Sequence, residues 1–115
     1  MSFQHQGLAS GRWKGLSLVE QMAHIGGEVE RALKWRAKAN ADYCRRASER
    51  ALELLDLTLD GCKDKAHLKE ITRAREVLAD FLYGSNRFAS SDHSLRAYFL
   101  PFAYAARKNH TPIPP

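Results

Sequence analysis

The sequence predicts an all-α protein, specifically a four-helix up-down-up-down bundle with a kinked last helix. Two observations carry this expectation. Apolar residues recur at three- and four-residue steps in four separate stretches, and no stretch alternates convincingly as a strand would. Cap residues and short connections separate these stretches, which favours antiparallel neighbours. The chain of 115 residues is enough for one modest core and excludes a multidomain enzyme. With 44% apolar and 27% charged residues, it falls among globular proteins rather than disordered or collagen-like ones. The organisation that follows is a flexible N-terminal segment over 1–14, the bundle over 15–110 and a Pro-rich tail over 111–115.

The first helix opens at Ser17-Leu-Val-Glu20, a capping-box pattern. Leu18, Met22, Ile25, Val29, Ala32 and Leu33 then form one stripe running to about Lys38. Gly26-Gly27 interrupts it, and each glycine costs about 1 kcal/mol against alanine, so the pair is expected to permit a close helix crossing or a bend. The second helix, about 41–59, carries Tyr43, Ala47, Ala51, Leu54, Leu55 and Thr58, with Gly61 as a left-handed stop. The third starts from Asp64 as N-cap and carries Leu68, Ile71, Ala74, Val77, Leu78, Phe81 and Leu82 up to Gly84. The fourth begins at Ser91 or Asp92 and carries Leu95, Tyr98, Phe99, Phe102 and Ala106. Pro101 removes one amide and is expected to kink it. Leu18, Leu68, Leu82 and Phe102 are counted in the core with the most central of these residues.

Charge is unevenly placed. Between Arg31 and Arg50 stand seven cations (Arg31, Lys34, Arg36, Lys38, Arg45, Arg46 and Arg50) against Asp42 and Glu49, an excess of five. The rest of the chain balances at eleven of each sign, so this one stretch accounts for the whole net charge of +5. In the expected topology these cations gather at one end of the bundle. Arg45 and Arg46 fall in a first turn, where the helix dipole opposes them, so dipole compensation does not explain them. The segment therefore reads as a surface facing nucleic acid or another acidic partner, with a merely solvated face as the alternative. Trp35, set among the cations, could stack on a base or a guanidinium, and equally could be a core-edge residue or a subunit contact. The expected nucleic-acid-binding residues are Arg31, Lys34, Trp35, Lys38, Arg45, Arg46 and Arg50.

Catalytic signals are thin. Arg87 and His93 have the spacing of small all-helical ribonucleases of the HEPN type, but Phe88 follows the arginine where that family usually has a polar residue. Glu20 with His24 and Asp64 with His67 are single helix-spaced pairs, whereas a carboxylate-bridged di-iron bundle needs two Glu-x-x-His copies and two further glutamates. No Gly-rich phosphate loop is present, and the expectation is a non-enzyme without cofactor or metal. Cys44 and Cys62 read as thiols of a reducing compartment. Met1 to Gly11 lacks the apolar core of a secretory signal, and no stretch approaches the roughly 20 apolar residues of a membrane span, so the expected location is cytoplasmic.

Trp13-Lys-Gly-Leu-Ser-Leu-Val-Glu-Gln21, Ile25-Gly-Gly-Glu-Val29, Glu49-Arg-Ala-Leu-Glu-Leu-Leu-Asp-Leu-Thr58 and Tyr98-Phe-Leu-Pro-Phe-Ala-Tyr-Ala-Ala-Arg107 resemble a group of small, largely uncharacterised bacterial helical proteins over about 13–108. In size, basicity and helix count the chain is also similar to the four-helix accessory proteins of diversity-generating retroelements. Those proteins form ring-like pentamers and assist a reverse transcriptase by binding it and its template RNA. The Asn-Ile-Ala-Glu-Gly-like turn of the related ribosomal S23-type proteins is replaced here by Leu59-Asp-Gly-Cys62. The resemblance implies a nucleic-acid-binding accessory, for RNA in particular, with a reverse transcriptase as a partner. A protein-only adaptor or scaffold is the alternative. The aromatic surplus of Trp13, Trp35, Phe88, Tyr98, Phe102 and Tyr104 leads to an expected homo-oligomer.

Overall fold

Ser17 caps a helix by the reciprocal geometry its sequence anticipates. Its hydroxyl accepts the Glu20 amide at 3.1 Å and the Glu20 carboxylate accepts the Ser17 amide at 2.8 Å. The computed structural model describes residues 11–109 and, among them, is helical without strands. The helices are α1 Trp13–Gly15, α2 Leu18–Ala37, α3 Ala41–Gly61, α4 Lys65–Tyr83 and α5 Asp92–Asn109. Asn40 caps α3 by accepting the Tyr43 amide at 3.0 Å. Asp64 caps α4 through the Ala66 amide at 3.4 Å. Ser91 and Ser94 exchange amide-to-hydroxyl bonds at the start of α5. His110 and the tail assigned to 111–115 lie outside the described residues, as do residues 1–10 of the N-terminal segment.

The packing pairs α2 with α3 and with α5, and α3 with α4, while α1 sits on α3. Glu28 and Trp35 of α2 meet Arg50 and Tyr43 of α3, so these helices run in opposite directions on either side of the Lys38–Asn40 turn. Ala39 in that turn is left-handed, with φ 58°. Arg75 of α4 holds Asp56 of α3 through two bonds of 2.5 and 3.3 Å, and Arg96 of α5 holds Glu30 of α2 at 2.7 Å. Between α4 and α5 lies a groove of about 410 Å³, bridged where the Tyr98 hydroxyl donates to Glu70 at 2.9 Å. Burial, and then that bond to Glu70, push the Tyr98 phenol above its ordinary range.

Met22, Ile25, Val29, Leu33, Leu54, Leu55, Ile71, Leu78, Leu95 and Phe99 form the centre of the core. Leu18, Leu82 and Phe102 are half-buried against it. Leu68 departs from expectation at 40% exposed: the α3–α4 register sets it level with the Cys62–Asp64 turn, beyond the end of α3. Trp13 is also corrected. The sequence places it in a flexible segment and on the surface, yet it is buried and part of the core. Its indole donates to Thr58 at 3.3 Å, and its carbonyl accepts from the Gln21 amide group at 2.8 Å. The folded part therefore begins before residue 15, with one helix more than expected. Gly61 is the third correction: it belongs to α3, no glycine among the described residues has positive φ, and the chain turns at the extended Cys62 instead.

Gly26 and Gly27 have different roles. A β-carbon on Gly26 would lie 2.9 Å from the Phe99 Cβ, so this glycine is where α5 crosses α2. A β-carbon on Gly27 would meet nothing within 4 Å. Gly27→Ala should stabilise the protein by about 1 kcal/mol through helix propensity. Gly26→Ala should destabilise it by about 1–3 kcal/mol, since a neighbouring Cβ cannot swing aside. Urea denaturation of both variants checks the pair. By the same measurement Leu78→Ala, in the closed core, should cost about 2–5 kcal/mol, and Leu68→Ala well under half of that.

Candidate nucleic-acid interface

The cationic segment of the sequence is divided by a buried carboxylate. Glu28 lies on the inner stripe of α2 and is only 5% exposed. It accepts hydrogen bonds from Arg31, one turn along its own helix, and from Arg50 of α3. Both arginines were expected at the basic end. The structure instead places them at this ion-pair network, with the Arg50 side chain 29% exposed and that of Arg31 65%. Burying an unpaired carboxylate is costly, and two guanidinium groups with directed donors offset that cost. Beside the network opens a cleft of about 540 Å³, with Trp13 and Leu54 in its wall and Arg12 and Arg31 among its charged lining residues.

The end of the bundle proper is built from the last turn of α2, the Lys38–Asn40 turn and the first two turns of α3. Lys34 and Lys38 are exposed there, and among the described residues neither makes an ion pair. Arg36 lies 4.6 Å over the ring of Phe81 from α4. Arg45 and Arg46 both reach Asp42, at 2.7 and 3.2 Å, and Arg45 also approaches Glu49 at 3.5 Å. The hydrogen bond to Asp42, then the nearby Glu49, raise the Arg45 guanidinium above its ordinary value. Of the seven sequence-predicted site residues, five (Lys34, Trp35, Lys38, Arg45 and Arg46) thus come together at the tip, while Arg31 and Arg50 stand one helical turn further back, each paired with Glu28.

Trp35 is half-buried, and its ring meets that of Tyr43 edge-to-face at 4.7 Å, which fixes the α2–α3 register at the tip. Lys38 Nζ lies 5.2 Å from the Trp35 ring and the Arg46 guanidinium 5.7 Å from the Tyr43 ring. Tyr43, read from its spacing as a core-stripe residue, is 45% exposed. It is a site residue that sequence reasoning missed, as is Glu28, whose place three residues after Ile25 and three before Arg31 was the available signal.

Arg87 and His93 are both exposed, one in the loop before α5 and one in its first turn. That loop is held by Asp80, whose carboxylate accepts the Phe88 amide at 3.1 Å. This bond, the first among several, keeps the Asp80 carboxyl below its ordinary value. His67 pairs with Asp64 at 2.8 Å on the surface of α4, and no group of three or more His, Cys, Asp or Glu able to hold a metal occurs among the described residues. Among the same residues no helix is long and apolar enough to cross a membrane. Compared with protein-family models, curated proteins and solved structures, the chain matches none.

Replacing Glu28 by glutamine should destabilise the protein by about 1–3 kcal/mol at neutral pH. This lies below the roughly 3–5 kcal/mol of a fully buried broken pair, because Arg31 and Arg50 can turn toward water. Chemical denaturation monitored by helical circular dichroism checks it, and an unchanged midpoint would show that the network contributes nothing.

Proposed function

We propose that this protein is a non-catalytic nucleic-acid-binding accessory, for RNA in particular, that supports a reverse transcriptase or a similar nucleic-acid enzyme. The carrying observation is the tip: Lys34 and Lys38, which make no ion pair among the described residues, stand beside Arg45, Arg46 and two aromatic rings. Cations gathered at one place release counterions from a phosphate backbone, which drives binding without base recognition. Direct reading of a duplex is not part of the proposal, since the tip carries no ordered set of Asn, Gln and Arg side chains on one helix face. The architecture we infer behind it is the up-down-up-down arrangement of α2–α5, with α5 bent at Pro101. Self-association through the exposed Leu100 and Tyr104 of α5 completes the reading.

The paired arginines weigh less than a simple count of cations suggests. Asp42 must be left behind, or its arginines shared, when a phosphate arrives. Lys34 and Lys38 therefore carry the larger part of the electrostatic attraction.

Replacing Lys34, Lys38, Arg45 and Arg46 together by glutamine should weaken RNA binding across all sequences and reduce the slope of log affinity against log salt by about 3. Helicity and the light-scattering mass should stay unchanged. Fluorescence anisotropy over a salt series measures this. Equal affinity of variant and parent at every salt concentration would reduce the tip to a solvated face. Binding to an acidic protein with no affinity for RNA or DNA would favour the adaptor reading instead.

A further inference from the structure

We infer that the nucleic acid held at the tip is single-stranded, and that one of its bases stacks on Tyr43. This rests on the nucleic-acid reading above and names the form of its ligand.

Tyr43 is among the large apolar side chains left substantially open to solvent. Its position is not that of a loosely held surface ring. The backbone amide of Tyr43 is fixed by the Asn40 cap at 3.0 Å, and its ring is fixed by the edge-to-face contact with Trp35. Trp35 is itself half-buried, so the pair is a preformed aromatic corner on the first turn of α3. A platform whose orientation is already set loses little freedom when a base lands on it.

Cations flank both rings. Lys38 lies against Trp35 and Arg46 against Tyr43. Arg46 can slide off the tyrosine face toward a phosphate while keeping a carboxylate partner in Asp42. A base stacked on Tyr43 would therefore have its own backbone within reach of Arg46, with Lys38 against the adjoining Trp35 ring. Alternating π-surface and cation is the chemistry by which single strands are bound without sequence preference. A duplex offers phosphates to the same cations, but its base faces are buried in the stack and cannot reach a ring, so Tyr43 adds nothing to duplex binding.

The test uses the full chain with three probes: RNA single strands of about 12 nucleotides, an RNA duplex of similar length, and heparin as a polyanion without bases. The single strand is expected to bind more tightly than the duplex and to quench tryptophan fluorescence through Trp35, since the buried Trp13 is shielded. Tyr43→Leu, which keeps an apolar contact for Trp35, should weaken single-strand binding about tenfold and leave duplex and heparin binding within about twofold. Tyr43→Phe should retain the parent's affinity for the single strand. Circular dichroism checks that both variants fold. A duplex bound as tightly as the single strand, or a Tyr43→Leu protein with parental single-strand affinity, overturns the inference while leaving an RNA-binding tip in place. Absence of binding to either RNA overturns the tip's function as well.

Discussion

The buried carboxylate of Glu28 is the constraint on which the rest of the molecule depends. An anion taken out of water must find donors, and among the described residues it accepts hydrogen bonds from Arg31 of the same helix and Arg50 of the next. Satisfying it sets how α3 lies along α2. That register in turn brings Trp35 opposite Tyr43 two turns further on, and the Lys38–Asn40 turn follows. The same carboxylate engages two of the seven cations in ion pairs, although the Arg31 side chain stays largely open to solvent. Stability and surface charge are thus coupled through one residue.

The other side of α2 is governed by shape rather than charge. Gly26 lets α5 approach until the Phe99 Cβ touches its backbone, and α5 consequently belongs to α2 more than to α4. The groove between α4 and α5 is the geometric result. One ring helps to close it: Phe88, held over by the Arg73 guanidinium at 4.4 Å and by its own amide on Asp80. The loop before α5 is ordered largely by side chains acting on backbone. Asn86 clasps Ser90 through both of its amide atoms, at 2.8 and 2.9 Å, while adopting a left-handed conformation that asparagine tolerates better than most residues.

Much of the architecture was legible because helix caps and apolar periodicity are local. Ser17, Asp64 and Ser91 act as sequence neighbours suggest, and the stripes of α2 and α3 point inward as spaced except at Tyr43. What was illegible depended on partners distant in sequence. Trp13 looked like surplus surface because its acceptor, Thr58, lies 45 residues away. Leu68 has the right spacing but meets a turn instead of a helix. The candidate site divides in the same way. The charge excess of residues 31–50 was visible by arithmetic, whereas its division was not, since the anion that takes Arg31 and Arg50 stands outside that window. Tyr43 shares the apolar spacing of its helix, and only the course of α2 past its first turn decides that the ring stays half in water.

The described chain also has a polarity. Trp13 fastens the N-terminal side beside Thr58, near the end of α3, and the Glu30–Arg96 and Gly26–Phe99 contacts carry the far end of α5 toward the beginning of α2. Both ends of the described chain therefore leave from the pole opposite Ala39. A tag, a fused domain or a surface linker attached at either end would hang from that pole, so an immobilised molecule would present its cationic turn outward. Two such molecules joined tail to tail would carry their turns at opposite extremities, a geometry suited to bridging two separate polyanions rather than gripping one.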